Sequence, residues 1–205
     1  DNSSFLDAAG GAVLLPRAQV SYVALQDRPG FLNLLRVRGA YGQAIVQPGF
    51  FNLIPAFAAT SAVAPSGATA TAVTISAVGN AALKPERSRE FEVGIDGTLL
   101  DNRVTVQLTA YDKLTNDALI SRITAPSAGV ANTFFDNLAS VENKGLEAQI
   151  DAQLLRGSTT FDLPLSGNLF RNKIRELGDS VPILLGFTQQ QREGFQVGSY
   201  WDFTP

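Results

Sequence analysis

Two close pairs of carboxylates, Glu90/Glu92 and Glu147/Asp151, are the side chains whose type and spacing come nearest to chemistry. Paired acids are what glycoside hydrolysis uses, one as proton donor and the other as nucleophile or base. Asp112, Asn116 and Asp117 are hard oxygen donors of the kind Ca²⁺ takes, but their spacing is not that of a calcium-binding loop. The rest of the catalytic repertoire is missing. The chain has no Cys and no His, hence no thiolate nucleophile, no disulfide framework, no Cys/His zinc centre and no imidazole base. Gly-rich phosphate loops and the G-x-S-x-G elbow are absent too. Asn2-Ser3-Ser4 fits the glycosylation acceptor pattern, which arises often by chance. No catalytic residue, cofactor site or metal site is assigned, so the carboxylates need another explanation.

The segments that carry them supply it. Phe91, Val93, Ile95 and Leu99 alternate with Glu90, Glu92, Asp96 and Thr98. Val104, Val106, Leu108 and Ala110 alternate with Arg103, Thr105, Gln107 and Thr109. Leu146, Ala148, Ile150, Ala152 and Leu154 alternate with Glu147, Gln149, Asp151 and Gln153, and Phe161, Leu163, Leu165 and Leu169 with Asp162, Ser166 and Asn168. Period two is the mark of a strand with one apolar and one polar face. Weaker versions run from Arg17 to Ala24 and from Leu35 to Tyr41. Strands of roughly ten residues exceed the usual five or six and match the 9–11 of a tilted bilayer-crossing strand.

The connections are lopsided. Leu100-Asp101-Asn102 and Leu155-Arg156-Gly157-Ser158 read as tight turns, whereas Gly42 to Arg89 and Ala118 to Val141 read as long loops. Residues Ala56 to Gly79 carry no charge, and Thr71 to Val78 reads as a short strand or a loop tip. Pro48, Pro55 and Pro65 argue against helix there, leaving Thr188 to Glu193, capped by Thr188, as the best helical candidate.

Composition agrees. The 205 residues are 45% hydrophobic but only 17% charged, with a net charge of −3. That balance excludes a disordered chain and a nucleic-acid binder. No apolar run is long enough for a spanning helix. A soluble β-sandwich also alternates, but strand length, uneven connections and low charge favour a membrane barrel, with short turns on the periplasmic side and long loops outside. The apolar stripes then face lipid. Glu90, Glu92, Asp96, Arg103, Glu147 and Asp151 line the lumen, where Arg36, Arg38 and Arg103 are available counter-charges. Tyr22, Tyr41, Tyr111 and Phe91 are candidates for interfacial girdles.

Several runs resemble one family. Asn80-Ala81-Ala82-Leu83-Lys84-Pro85-Glu86, followed by Glu90-Phe91-Glu92-Val93-Gly94-Ile95-Asp96, is similar to the N-x-x-L-K-P-E…E-x-G-x-D run of TonB-dependent outer-membrane receptors. Arg103 with Ala110-Tyr111-Asp112-Lys113, and Val141-Glu142-Asn143-Lys144-Gly145-Leu146-Glu147, fit the following strands. Asp1 to Phe5, Pro16-Arg17, Leu35 to Gly42, Asn172-Lys173-Ile174 and Gly194 to Trp201 extend the likeness towards the SusC/RagA branch.

The resemblance implies an all-β, antiparallel barrel segment in the bacterial outer membrane. It further implies energised uptake of oligosaccharides or other oligomers, with a SusD-like surface lipoprotein and the TonB complex as partners, no cofactor and no enzyme activity. Such barrels close with about 22 strands around an N-terminal plug. The run 1–205 shows six clear strands and neither plug nor TonB box, so it reads as an internal part of the barrel domain. Phe50, Phe51, Phe57, Phe134 and Phe135 fall in the long loops and are candidate sugar-stacking platforms. Alternatives are a siderophore- or cobalamin-type receptor of the same wide group, a secreted β-sandwich module, and a complete eight-stranded barrel that counts Thr71–Val78 and a strand near Phe195–Phe203.

Overall fold

The computed structural model describes residues 13–28, 30–124, 127, 133–178, 183–184 and 188–202. The Asn2-Ser3-Ser4 triplet, the Asp1 to Phe5 run and Phe203 lie outside them. Each alternating segment forms a strand: β1 (Arg17–Leu25), β2 (Leu32–Val46), β5 (Glu86–Leu99), β6 (Val104–Ile123), β7 (Thr133–Leu155) and β8 (Phe161–Leu177). In the connection after β2 lie α1 (Phe50–Leu53), β3 (Ala56–Val63) and β4 (Thr69–Ala77); β9 (Ile183–Leu184), β10 (Gln189–Gln191) and β11 (Ser199–Tyr200) follow β8.

The long strands make one antiparallel sheet in the order β1-β2-β5-β6-β7-β8. Among the described residues it is open, with β1 and β8 as its edges, and β3 and β4 pair only with each other. The eight-stranded closed barrel is thereby overturned: Thr69–Ala77 belongs to a separate hairpin, and the later strand is only Ser199–Tyr200. Among the described residues no second sheet covers either face as a sandwich would require; the other sheets there are one small hairpin and one of three very short strands.

Residues 26–31, 100–103 and 156–160 connect strands at one end, and the long connections lie at the other. The middle turn works because Leu100, Asp101 and Asn102 all take positive φ, at 54°, 54° and 65°; Asp and Asn tolerate that backbone better than most residues. Asn33, nearly buried, ties this turn to the 26–31 turn: its Nδ2 donates to the Arg28 carbonyl at 2.8 Å, and its Oδ1 accepts from the Asn102 N–H at 3.1 Å.

Towards the other end the strands run further than alternation foretold. The expected loop from Ala118 to Val141 is corrected: β6 continues to Ile123 and β7 begins at Thr133. The simple period is lost there because the ladder shifts register at Thr115/Ala118 and Ala118/Leu119, and each shift swaps which face a residue serves. The helix expected over Thr188 to Glu193 is instead β10, paired with β9 and β11. A helical turn forms where prolines argued against one, at Phe50–Leu53, which lies between Pro48 and Pro55 and contains neither.

Ala118, Ile120, Ala139, Ile174, Leu177 and Ile183 form a small buried cluster at this end. The segment bearing β10 closes against β8, with Ile174 N–H bonding the Phe195 carbonyl at 2.9 Å and Gly194 N–H the Ile174 carbonyl at 2.8 Å.

Candidate functional site

The register sorts the sheet into two faces. Arg36, Arg38, Glu90, Glu92, Asp96, Thr109, Lys113, Glu147 and Asp151 share one. Val37, Tyr41, Phe91, Val93, Ile95, Leu108, Leu146, Ile150, Leu165 and Leu169 share the other, and much of it is exposed, Leu169 at 73%.

Arg38 organises the polar face. Its guanidinium bonds Glu92 and Thr109 and lies 3.5 Å from Asp96, while Arg36 Nε meets Asp96 at 2.8 Å. Asp96 is 4% exposed and faces both arginines, the kind of pairing a nearly buried carboxylate needs. Gly94 sits under this group: a Cβ there would lie 2.6 Å from Arg38 Cζ. The spacing Glu92-x-Gly94-x-Asp96 is therefore a cradle, with two carboxylates flanking a gap that admits a guanidinium. One row nearer the long connections, Glu90 lies 3.9 Å from Lys113. Gly145 repeats the device for Tyr111, whose ring would be 2.5 Å from an added Cβ. Tyr111 thus serves the polar face and leaves the girdle proposed for it; Tyr41 and Phe91 pair on the apolar face, with ring centroids 5.3 Å apart.

Glu90, Glu92 and Asp96 are brought together as the sequence suggested, but each faces a cation, and none is set up as a proton-transfer pair. Glu147 and Asp151 also lie on the polar face, where Gln149 Nε2 donates to Asp151 at 2.9 Å. Beside them is a shallow hollow of about 290 Å³ lined by Gln107, Thr109, Glu147, Gln149, Ser166 and Asn168. Arg103 does not open β6: it sits in the turn, its N–H bonding the Leu99 and Leu100 carbonyls and its own carbonyl accepting from Gln153.

The calcium alternative fails on geometry. Asp112 pairs with Lys144 at 3.0 Å, Asn116 accepts from the Ser140 hydroxyl at 3.0 Å, and the Asp117 carbonyl is taken by Asn137 at 2.7 Å. Among the described residues no His, Cys, Asp or Glu cluster could hold a metal ion.

Phe50 and Phe51 stand exposed on α1 in an edge-to-face pair with centroids 5.6 Å apart, and Phe57 is exposed on β3. Phe134 and Phe135 are in β7, opposite Arg122 and Ser121, and not in a loop.

Sequence reasoning missed Asn137. Its Oδ1 accepts from Lys84 N–H at 2.7 Å, and its Nδ2 donates to the Lys84 and Asp117 carbonyls at 2.9 and 2.7 Å. The Asn80 side chain donates to the Phe135 carbonyl at 3.0 Å, and Glu86 accepts from the Leu119 N–H at 2.6 Å, just where the ladder shifts. The Asn80-to-Glu86 run is thus a strap pinned across the extended ends of β6 and β7. Only the strap's half of the arrangement could be picked out from sequence.

Beyond the apolar stripe, Glu142 meets Arg175 at 2.6 Å and Lys144 at 3.2 Å. The Arg175 hydrogen bond, reinforced by Lys144, holds the Glu142 carboxyl below the usual carboxylate range.

An open antiparallel sheet of long strands with one apolar and one ion-paired face, and with short turns and long connections at opposite ends, is a piece of transmembrane β-barrel wall. Comparison with known proteins gives the family. Residues 1–204 match the model described as "TonB dependent receptor-like, beta-barrel", and the chain belongs to that family, which resides in the outer membrane. It is 28% identical over 185 residues to TonB-dependent receptor P39 of Formosa agariphila, covering 83% of this chain and 15% of that receptor. With receptor P26 of the same organism it is 31% identical over 117 residues, covering 55% of this chain and 11% of the receptor. Among solved structures it is similar to the RagAB peptide importer in the closed-closed state, with TM-score 0.77, 18% identity, and 95% of this chain and 22% of that one covered. A further structure of the RagAB peptide transporter gives TM-score 0.75 at 19% identity, covering 88% and 20% of the two chains. At identities below a fifth, this likeness shows a shared fold.

Proposed function

We propose that this chain forms part of the wall of a SusC-like, TonB-dependent importer of oligomeric nutrients, the polar face lining the lumen and the apolar face meeting lipid. The observation that carries this is the division of the sheet: the apolar face stays free of charge from Leu99, Val104, Ala152 and Leu163 up to Phe91, Ala110, Leu146 and Leu169. A charge there would cost about 2–4 kcal/mol at the bilayer midplane. On this reading Glu90, Glu92, Asp96, Glu147 and Asp151 line the lumen, with Arg103 at its turn-side end, and residues 1–205 are an internal portion of a barrel domain. A SusD-like surface lipoprotein and the TonB complex, the latter through a part outside this segment, are the partners. The wall performs no chemistry.

Oligosaccharide is the favoured cargo. The hollow around Gln107, Thr109, Gln149, Ser166 and Asn168 offers amide and hydroxyl groups, which suit neutral hydroxyl-rich ligands. The Phe50/Phe51 pair offers aromatic faces at the long-connection end. A second reading, peptide cargo, is favoured by the similarity to a transporter whose name specifies peptides. Deleting the full-length gene and measuring uptake of labelled oligosaccharides, peptides and iron chelates separates them. Loss of oligosaccharide uptake alone supports the first reading; loss of peptide uptake supports the second; dependence on iron chelates supports a siderophore-type receptor instead. Fractionation of the full-length product with soluble protein would sink all three.

A further inference from the structure

The polar face breaks its own pattern in one row. On β8 this face carries Asp162, Ser166, Asn168 and Asn172, yet Phe170 stands among them, 69% exposed. The register sets Phe170 opposite Gly145, and Gly145 opposite Tyr111. Because Gly145 has no side chain, the outer part of the Tyr111 ring, with Cε1, Cζ and the hydroxyl, reaches over it. Aromatic groups from β6 and β8 are thereby brought to the same height on a face that otherwise holds charges and amides. Phe170 gains little from burial there, and it does not serve the lipid stripe, since Leu165 and Leu169 lie on the opposite face. A break of this kind in a strict alternation is where a functional site is expected.

The next row towards the turns holds Thr109, Glu147 and Asn168, and the row after it Gln107, Gln149 and Ser166. These side chains line the hollow of about 290 Å³, so Tyr111 and Phe170 form its rim on the long-connection side. Thr109 accepts from Arg38 and Gln149 donates to Asp151, which holds both in place. Among the described residues no ion pair takes Glu147. Amides, hydroxyls and a carboxylate beside an aromatic rim match a sugar ring. Its hydroxyls both donate and accept, and its C–H face packs on aromatic side chains. The Glu147 charge repels a phosphorylated, sulfated or uronic acid unit, so the matching ligand is uncharged.

We propose that Tyr111, Phe170 and the hollow beside them form a subsite on the polar face for one neutral pyranose unit of the cargo. The proposal rests on the oligosaccharide reading above and names the wall residues that serve it. Phe170 and Tyr111 pack against the C–H face of the sugar, while Glu147, Asn168 and Ser166 meet its hydroxyls. Gly145 is the positioning residue, because any side chain there would displace the Tyr111 ring.

The test titrates the purified full-length receptor by calorimetry with a panel of neutral oligosaccharides built on gluco, manno, galacto and xylo backbones. For a member that the unaltered receptor binds, Phe170→Ala is expected to weaken affinity about tenfold, the scale of an aromatic contact, and Phe170→Trp to restore it. Ser166→Trp, which fills the hollow, is expected to abolish binding. Heat-modifiable migration confirms that each variant is a folded barrel. Unchanged affinity in Phe170→Ala and Ser166→Trp overturns the subsite and leaves oligosaccharide cargo standing. An equal loss in Phe170→Ala and Phe170→Trp assigns Phe170 a structural role and overturns it as well. If the unaltered receptor binds no member of the panel, the oligosaccharide reading falls and the subsite falls with it.

Discussion

The turn-proximal and loop-proximal halves of β5 to β8 are continuous backbone held by different forces. In the turn-proximal half the alternation is strict, and little on the apolar face is covered by protein. Its order depends on a lipid environment on one side and on the Arg36, Arg38, Glu92 and Asp96 group on the other. In the loop-proximal half the ladder is interrupted, and protein supplies the covering: the strap from Asn80 to Glu86, the Asn137 clamp, and the apolar cluster around Ile174, which is fully buried. One length of strand can thus be specified by its solvent below and by long-range side-chain contacts above.

The most direct way to break this comparison is to place a charge on the same face of β6 at two heights. Leu108→Arg falls within the uncharged stripe, whereas Leu114→Arg falls beyond it, among Arg89, Glu142 and Lys173. The first is expected to cost about 2–4 kcal/mol and the second about 0–1 kcal/mol, read from refolding of the full-length receptor into bilayers. Equal costs would show that the two heights do not differ in environment.

The polar face should respond next. Asp96→Ala removes the nearly buried acceptor shared by Arg36 and Arg38 and leaves both guanidinium groups short of a partner. The expected loss is about 1–3 kcal/mol of barrel stability, because an unmatched charge is costlier than a missing bond. Asp96→Asn, which keeps one acceptor oxygen, is expected to lose less. Gly94→Ala tests the same cradle from below: its Cβ displaces the Arg38 guanidinium, so its effect should shrink in an Arg38→Ala background.

The loop-proximal half predicts a local effect. Asn137→Ala forfeits hydrogen bonds to both main-chain groups of Lys84 and to the Asp117 carbonyl. At about 1 kcal/mol net for such a bond, the strap should loosen while the barrel melts as before. Limited proteolysis between residues 47 and 85 should speed up several-fold, and the global unfolding midpoint should hardly move. A large fall in that midpoint would mean the strap is integral to the barrel.

This division also explains what the sequence could reveal. The turn-proximal strands were legible because their order is local: residue i and i+2 meet the same environment, so Phe91, Val93 and Ile95 announce a face without reference to anything else. Even there the reason for Gly94 was hidden, since its occupant Arg38 bonds Glu92 across a separation of 54 residues. The loop-proximal half depends on partners of that kind throughout. Asn137 and Lys84 are 53 residues apart, and Glu86 reaches Leu119 across 33. The shifts near Ala118 then scramble the period, so the sequence there shows no alternation although Phe134 and Phe135 lie in strand. Thr188 to Glu193 suggests a helical turn because the strand partners of Gln189–Gln191, Leu184 and Ser199 among them, are set by tertiary pairing and not by propensity.

The smallest effect expected comes from the boundary between the halves. Glu142 is ionised more readily than a free carboxylate because Arg175 and then Lys144 stabilise its charge. A carboxyl whose folded pKa is depressed adds stability above its unfolded pKa and loses it as pH falls through the folded one. Glu142→Gln should therefore destabilise the receptor slightly at neutral pH, less than Asn137→Ala does, because its cationic partners are half-exposed and water screens the pair. The unaltered receptor and the variant should converge once pH drops below the ordinary carboxylate range. Unfolding midpoints of both proteins along a descending pH series give the answer. A gap that persists in acid would assign Glu142 a packing role, and a gap as large as that of Asp96→Ala would move this row of charges into the strongly determined half of the wall.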